Sequence, residues 1–342
     1  MAGCPAGGRR KWGILMNIAE IARLAGVSPS AVSRYLNNGY LSAEKREAIR
    51  RVIEETGYRP LAQAQALRTR KTRTIGIILP KIDSFSIGNV IAGIGPVLEE
   101  KGFQMLLADT RNDPARELEY LDTFDEQRVD GVILIGTVFT TRHIAALKKN
   151  RVPVVLVGQQ LAGVSCVYHD DYHAFYDITR LMLDRGCRRL GFMGGLPQDR
   201  AVGQERSRAY CDAVRDAGLE EQAGHKVTAD FTIRSGREKA QELLDAYGPL
   251  DGLVCATDSM AVGALQYLKG RGLRVPEDIR ITGQGGADLC EVTSPSITTI
   301  RYFYEDSGAN AAALLLERMA NPEVPAKEIK LGYTILKNES TR

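Results

Sequence analysis

Ile18-Ala19-Glu20-Ile21-Ala22-Arg23-Leu24-Ala25-Gly26-Val27-Ser28-Pro29-Ser30-Ala31-Val32-Ser33-Arg34-Tyr35-Leu36-Asn37 reads as two short helices joined by a glycine turn. Ile18, Ile21, Ala22 and Ala25 fall at i, i+3, i+4 and i+7 and form one apolar face. Gly26 breaks that helix. Ser28 suits the next N-cap and Pro29 the first helical position, where no N–H is missed. Val32 and Leu36 lie one turn apart and pack inward. Ser28, Pro29, Ser30, Ala31, Ser33, Arg34 and Asn37 are then the residues expected to meet a DNA major groove. A third helix follows, capped by Ser42, with Ala48, Ile49, Val52 and Ile53 as its buried stripe and Gly57 at its end. Three helices over 16–60 make either a DNA-binding head or an ordinary helical hairpin, and charge separates the two. Residues 16–73 carry a net charge of +6 and residues 1–15 a further +3, whereas the whole chain is +3, which leaves −6 on residues 74–342. A basic head on an acidic body is the distribution that phosphate neutralisation favours.

The same stretch, with Gly57-Tyr58-Arg59-Pro60 and Ala64-Gln65-Ala66-Leu67-Arg68 after it, resembles the lactose/galactose repressor family, and the similarity extends over nearly everything after residue 15. The resemblance implies a hinge over 61–73 that becomes helical on the operator, with Tyr58, Leu67 and Arg68 among the DNA contacts. Leu67 would wedge into the minor groove at a central base step. An apolar wedge of this kind trades unstacking for a bent duplex, while Arg68, Arg70, Lys71 and Arg73 meet phosphates. A solvated basic linker describes the same segment in the unbound state. The resemblance further implies a homodimer or a dimer of dimers on double-stranded, palindromic operator DNA, since a two-fold protein requires a two-fold site.

From Thr74 onward, β-rich runs alternate with amphipathic helices. Thr74 to Leu79, Phe103 to Ala108, Gly131 to Ile135, Val152 to Val157, Arg189 to Met193, Leu253 to Ala256 and Ile279 to Gly283 are expected strands. This pattern predicts parallel sheets with helices on both faces. The fold class is therefore an all-α helix-turn-helix head plus an α/β body of two Rossmann-like lobes, of the periplasmic-binding-protein type. The N-lobe is expected over about 74–168 and 300–325, the C-lobe over about 169–299 and 326–342.

A ligand in such a body should sit between the lobes, at the carboxyl ends of the strands. Asp83-Ser84-Phe85-Ser86, after the first strand, offers an acceptor, hydroxyls and an aromatic face, or else a helix cap. The resemblance aligns Arg206 with the arginine that contacts the effector; its guanidinium fork suits vicinal hydroxyls or a phosphate, and pairing with Glu205 or Asp212 is the plainer alternative. Thr257-Asp258 stands where the family often has Asn-Asp, with Asp258 either a ligand contact or a helix cap. Two departures stand out. Gly285 and Gly286 replace the family's acidic residues, leaving Asp288 as the substitute acceptor, and Tyr302 and Tyr304 stand where other members use polar contacts, to stack on a ring or to pack in the crossover. The Asn38-to-Ser42 turn, Cys166-Val167-Tyr168-His169-Asp170-Asp171 and the Gly285-Gly286 loop are most similar to repressors of sucrose or fructoside utilisation, with trehalose-type repressors next, and add Tyr168 to the effector candidates. The implied effector is a sugar or sugar phosphate that releases the operator. A catabolite-control regulator of the same fold, signalled by a phosphocarrier protein on the N-lobe, is the alternative.

Composition excludes other classes. At 342 residues, 44% hydrophobic and 25% charged, the chain has ordinary globular composition, without an apolar run near the roughly 20 residues that span a bilayer. Six scattered cysteines without C-x-x-C spacing and four histidines never paired at ligand spacing predict no metal site, reduced thiols and a cytoplasmic protein. Gly191 to Gly195 and Gly283 to Gly286 do not spell a dinucleotide fingerprint, and no phosphate-loop lysine motif occurs. His169-Asp170-Asp171 is the best acid/base grouping but lacks a nucleophile, so neither an enzyme nor a cofactor is expected. Residues 1–15 do not resemble a signal peptide; they are expected to be disordered, with translation beginning at Met16, or else to form a basic arm that strengthens DNA binding.

Overall fold

The computed structural model describes residues 16–37, 39–58 and 72–342. It divides into two compact units, 1–72 and 73–342. The expected hinge contacts Leu67 and Arg68 lie outside the described residues.

In the first unit, α1 (Ile18–Leu24) begins at a capping box that the helix spacing alone does not reveal. The Asn17 side chain accepts from the Glu20 N–H at 3.0 Å, and Glu20 accepts from the Asn17 N–H at 2.7 Å. Gly26 takes a left-handed φ of 66° in the turn. The second helix, α2 (Pro29–Leu36), opens on Ser28, whose hydroxyl accepts from the Ala31 N–H at 3.3 Å. Ser42 stands at the N-cap of α3 (Ala43–Thr56) without a side-chain capping bond, and Gly57 closes that helix at φ 65°. Among the described residues of this unit, Ile21, Ala22, Ala31, Val32 and Ile49 form the buried core, and Tyr35, Leu36, Val52, Ile53 and Tyr58 cover them. A core this small leaves each member a large share of the stability.

The second unit holds two six-stranded sheets. The N-lobe sheet contains β1 (Thr74–Leu79), β2 (Gln104–Asp109), β3 (Gly131–Ile135), β4 (Val154–Val157), β5 (Cys166–His169) and β11 (Glu328–Leu331), in the order β11-β5-β4-β3-β1-β2. The C-lobe sheet contains β6 (Leu190–Gly194), β7 (Lys226–Thr228), β8 (Gly252–Cys255), β9 (Arg280–Gly285), β10 (Thr298–Tyr302) and β12 (Tyr333–Leu336), in the order β12-β10-β9-β8-β6-β7. All pairings are parallel except β10 with β12. The N-lobe helices are α4 (Phe85–Glu100), α5 (Pro114–Glu126), α6 (Thr141–Lys149) and α11 (Tyr304–Ala320). The C-lobe helices are α7 (Asp171–Asp184), α8 (Arg206–Asp216), α9 (Ile233–Tyr247) and α10 (Asp258–Gly270). Central strands such as β1 and β3 are apolar along their length because helices cover both faces. Contact between α4 and α11 is close enough that a Cβ on Gly93 would stand 1.9 Å from the Glu305 carbonyl and one on Gly308 2.0 Å from that of Val90. Any other residue there would part the two helices.

The chain crosses between lobes at Asp170, Phe303 and Gly332. Two expected boundaries therefore move. Residues 300–302 complete β10 in the C-lobe sheet, and 328–331 form the N-lobe edge strand β11, placed beyond the expected crossing after 325. Both strands are short and sit beside a crossover, so neither carries a long periodic signal.

Candidate functional site

On the head, exposure sorts the expected DNA contacts. Ser28, Pro29, Ser30, Arg34 and Asn37 are exposed, and Ser33 is half-buried. Ala31 is not on the outward face: it is buried beside Val32, because the inward stripe of α2 is wide enough to include Ala31, Val32, Tyr35 and Leu36. Tyr58 packs against the same core, and burial raises its phenol above the ordinary value. The Arg34 guanidinium lies along its own helix, with Nε donating to the Ser30 carbonyl at 3.4 Å.

In the body, the crossover segments bring together side chains far apart in sequence. Asp171, the first residue of α7, and Arg206, the first of α8, form an ion pair with Nη2 at 2.7 Å and Nε at 2.8 Å from Asp171 Oδ1. Arg206 Nη1 donates to the Ala256 carbonyl at 2.6 Å. Both side chains are buried; although burial opposes the Arg206 cation, Asp171 holds its pKa above the ordinary value. The Tyr302 hydroxyl donates to Asp171 Oδ1 at 2.9 Å and accepts a short hydrogen bond from Gln284 Nε2. His169, at the end of β5, stacks on Tyr302 with ring centroids 4.5 Å apart and meets Tyr304 edge-on at 5.4 Å. Tyr304 in turn meets Phe85 edge-on at 6.4 Å. Burial lowers the His169 pKa, against Asp171 and a bond to the Phe303 backbone that raise it.

Arg206 is aimed by an irregular turn. Residues Arg200–Glu205 form a π-helix capped by Asp199, which accepts from the Val202 N–H at 2.9 Å. Asp199 also reaches across to the N-lobe, accepting at 2.8 Å from Gln159 Nε2, which donates to the Thr137 carbonyl as well. Arg200 contacts the Gln160 carbonyl and side chain at 3.2 and 3.3 Å. Burial raises the Asp199 carboxyl above its usual range.

Other expected effector residues are turned away or already engaged within the protein. Tyr168 points to the opposite side of β5 from His169, where it packs with the outer N-lobe core, because strand neighbours alternate faces. Asp83 pairs with Lys81 at 3.2 Å, and Ser84 and Ser86 bond to each other at 3.0 Å. Thr257 caps α10 by accepting from Met260. Asp258 is buried and committed internally, accepting from the Ala287 N–H at 2.7 Å and the Thr299 hydroxyl at 2.5 Å. Asp288 is exposed on a 3₁₀ turn and does not replace the missing acids. Their absence has a steric cause: a Cβ on Gly285 (φ 139°) would stand 2.9 Å from Asp258 Oδ2, and one on Gly286 (φ 69°) 2.9 Å from Arg301 Cα. The His169-Asp170-Asp171 triplet is split, since Asp170 caps α7 and pairs with His173 and Lys330 while its neighbours turn inward. His169 and Asp171 enter the sequence reading only as part of an acid/base grouping, and Gln284, Gln159 and Asp199 not at all; for Gln284 the available signal is a polar side chain inside an apolar strand.

Residues 17–60 match the bacterial regulatory proteins of the lacI family, and residues 179–341 match the periplasmic binding protein-like domain. The sucrose operon repressor of Staphylococcus xylosus is 35% identical over 302 residues, which cover 87% of this chain and 92% of that protein. The chain belongs to the LacI family. Catabolite control protein A of Priestia megaterium is 29% identical over 96% of this chain and 99% of its own length. The lac repressor dimer bound to operator and the anti-inducer ONPF superposes with a TM-score of 0.86 over 95% of this chain and 99% of that one; at 20% identity it shows the shared fold. LacI-family proteins of this kind are DNA-binding transcriptional repressors, and this member has the helix-turn-helix head and the two α/β lobes of the family. Among the described residues no helix is long and apolar enough to cross a membrane.

Proposed function

We propose that this protein represses a sugar-utilisation operon, of the sucrose or fructoside kind, as a homodimer on a palindromic operator, and that it acts as a regulator and not as an enzyme. The observation that carries the effector half of this reading is the buried Asp171–Arg206 pair, joined by Tyr302 and Gln284 where the chain passes between lobes. A sugar entering there exchanges hydrogen bonds with groups from both lobes. Its differential affinity for the two lobe arrangements then biases the hinges and lowers operator affinity. Ser28, Pro29, Ser30, Arg34 and Asn37 read the major groove, Leu67 wedges into the minor groove, and Arg68 meets phosphate. Effector contacts are assigned to Arg206, Asp171, Tyr302, Tyr304 and Phe85. The sugar reading is preferred over a phosphocarrier signal because the sucrose operon repressor matches at 35% identity and Catabolite control protein A at 29%.

Footprinting of the purified chain on DNA upstream of its own gene tests the DNA half. A single protected palindrome whose half-sites lie on one face of the duplex is expected. Uniform weak protection of all DNA would contradict it.

A further inference from the structure

We propose that the interlobe site takes an uncharged polyhydroxyl ligand, held as a hydrogen-bond donor by His169, Gln284 and Asp171, and discriminates against the phosphorylated form of the same sugar. This rests on the sugar-effector reading above and goes on to name the chemical class.

The first ground is the state of the buried cation. The charge of the Arg206 guanidinium is already matched, with Nε and Nη2 on Asp171 and Nη1 on the Ala256 carbonyl, which leaves one N–H on each terminal nitrogen for a neutral hydroxyl. A phosphate would have to detach that pair, stranding a buried carboxylate. It would also enter beside Asp199 and Asp258, two further buried carboxyls whose burial already disfavours negative charge. Arg200, on the turn before Arg206, is engaged with Gln160.

The second ground is the kind of polar atom left over. Gln284 Oε1 and His169 Nε2 are buried without a partner. The Gln284 amide orientation follows from its bonds, because Nε2 faces the Tyr302 hydroxyl and Asp171, both of which accept from it. Its carbonyl therefore points away as an unused acceptor. Nε2 is the buried ring nitrogen of His169 that has no partner, and in the neutral ring it can stand as an acceptor. Two orphan acceptors beside a carboxylate call for O–H donors, which a sugar carries in abundance and a phosphate dianion lacks. The exposed Phe85 and the half-buried Tyr304, which meet edge-on, supply aromatic surface for the C–H face of a pyranose or furanose ring.

Isothermal titration calorimetry of the full chain with sucrose, fructose and trehalose, and with sucrose 6-phosphate, fructose 1-phosphate and trehalose 6-phosphate, tests this. One neutral sugar is expected to bind at least tenfold more tightly than its phosphate. His169→Phe keeps the stack on Tyr302 and deletes the acceptor; it should weaken that sugar about tenfold, and Gln284→Leu should do the same, with the thermal transition of each variant showing that it is folded. A phosphate that binds as tightly as its parent sugar, or more tightly, overturns the inference and leaves the sugar reading standing. If none of the six binds, the sugar reading itself fails and takes the inference with it. Undiminished affinity in both folded variants removes His169 and Gln284 from the site.

Discussion

The head and the body carry function in opposite ways. On the head the candidate contacts Ser28, Ser30, Arg34 and Asn37 are exposed side chains on a core of five buried residues, all within about two helical turns of one another. In the body the candidate contacts are buried, and each comes from a different element: His169 from β5, Asp171 from α7, Arg206 from α8, Gln284 from β9 and Tyr302 from β10. A surface reader can be altered one residue at a time, because its members do not satisfy one another. A buried polar network cannot, since removing one partner leaves another charged or unpaired in low dielectric. The head should therefore lose specificity before stability, and the body should lose both together.

The largest effect is expected from Arg206→Ala. It strands Asp171 and should lower the stability of the body by about 3–5 kcal/mol, the usual cost of breaking a buried pair from one side. Calorimetry should show the body transition shifted down and the head transition unmoved; an unshifted body would mean that the two units differ less than argued. Ile49→Ala comes next and acts on the other side of the comparison. Deleting most of a fully buried side chain from so small a core should cost about 2–5 kcal/mol and abolish DNA binding, with the body transition unchanged. Arg34→Ala sharpens the contrast, because the residue is exposed and supports no core. Competition binding with single-base variants of the protected site should show about 1–3 kcal/mol of discrimination lost at one base pair, at constant melting temperature. A uniform loss over all sequences would make Arg34 a phosphate contact.

The smallest effect belongs to a residue in neither site. Arg274 bonds Asp278 through Nη2 and Nε, at 2.5 and 3.0 Å, and with the backbone N–H of residue 274 holds this carboxyl down at about 2. Because the folded value lies below the ordinary one, the pair contributes above the ordinary carboxylate range and is lost as pH falls through about 2. Asp278→Asn should thus be slightly less stable than the parent at neutral pH, with the difference closing toward pH 2 in acid titrations followed by circular dichroism.

The same contrast explains what could be read from the sequence. The head was legible because its signals are local: apolar residues at i, i+3, i+4 and i+7, a serine before a proline, a glycine where the turn needs φ near 66°. The central strands were legible from their apolar runs. Ala31 is not legible as a core residue, because the inward stripe of α2 is broader than the Val32 and Leu36 pair defines. Tyr168 and His169 differ by one residue of strand register, which sends the first to the outer face and the second inward, and the sequence of β5 does not say which is which. Arg206 was found through the family resemblance, but its partner Asp171 stands 35 residues away and depends on the crossover at Asp170 for its position. Gln284 and Tyr302, 18 residues apart, meet only because β9 and β10 are adjacent in the sheet. Such contacts are properties of topology and carry no periodic signature.

The most direct test of the account is fluorescence anisotropy of the full chain on labelled DNA from its own upstream region, at two salt concentrations, with sucrose and fructose added singly. Tight binding that weakens with salt and is released by one of these neutral sugars is the expected result. Binding that is absent, or that persists unchanged in both sugars, would contradict the link between the interlobe network and the DNA-reading head.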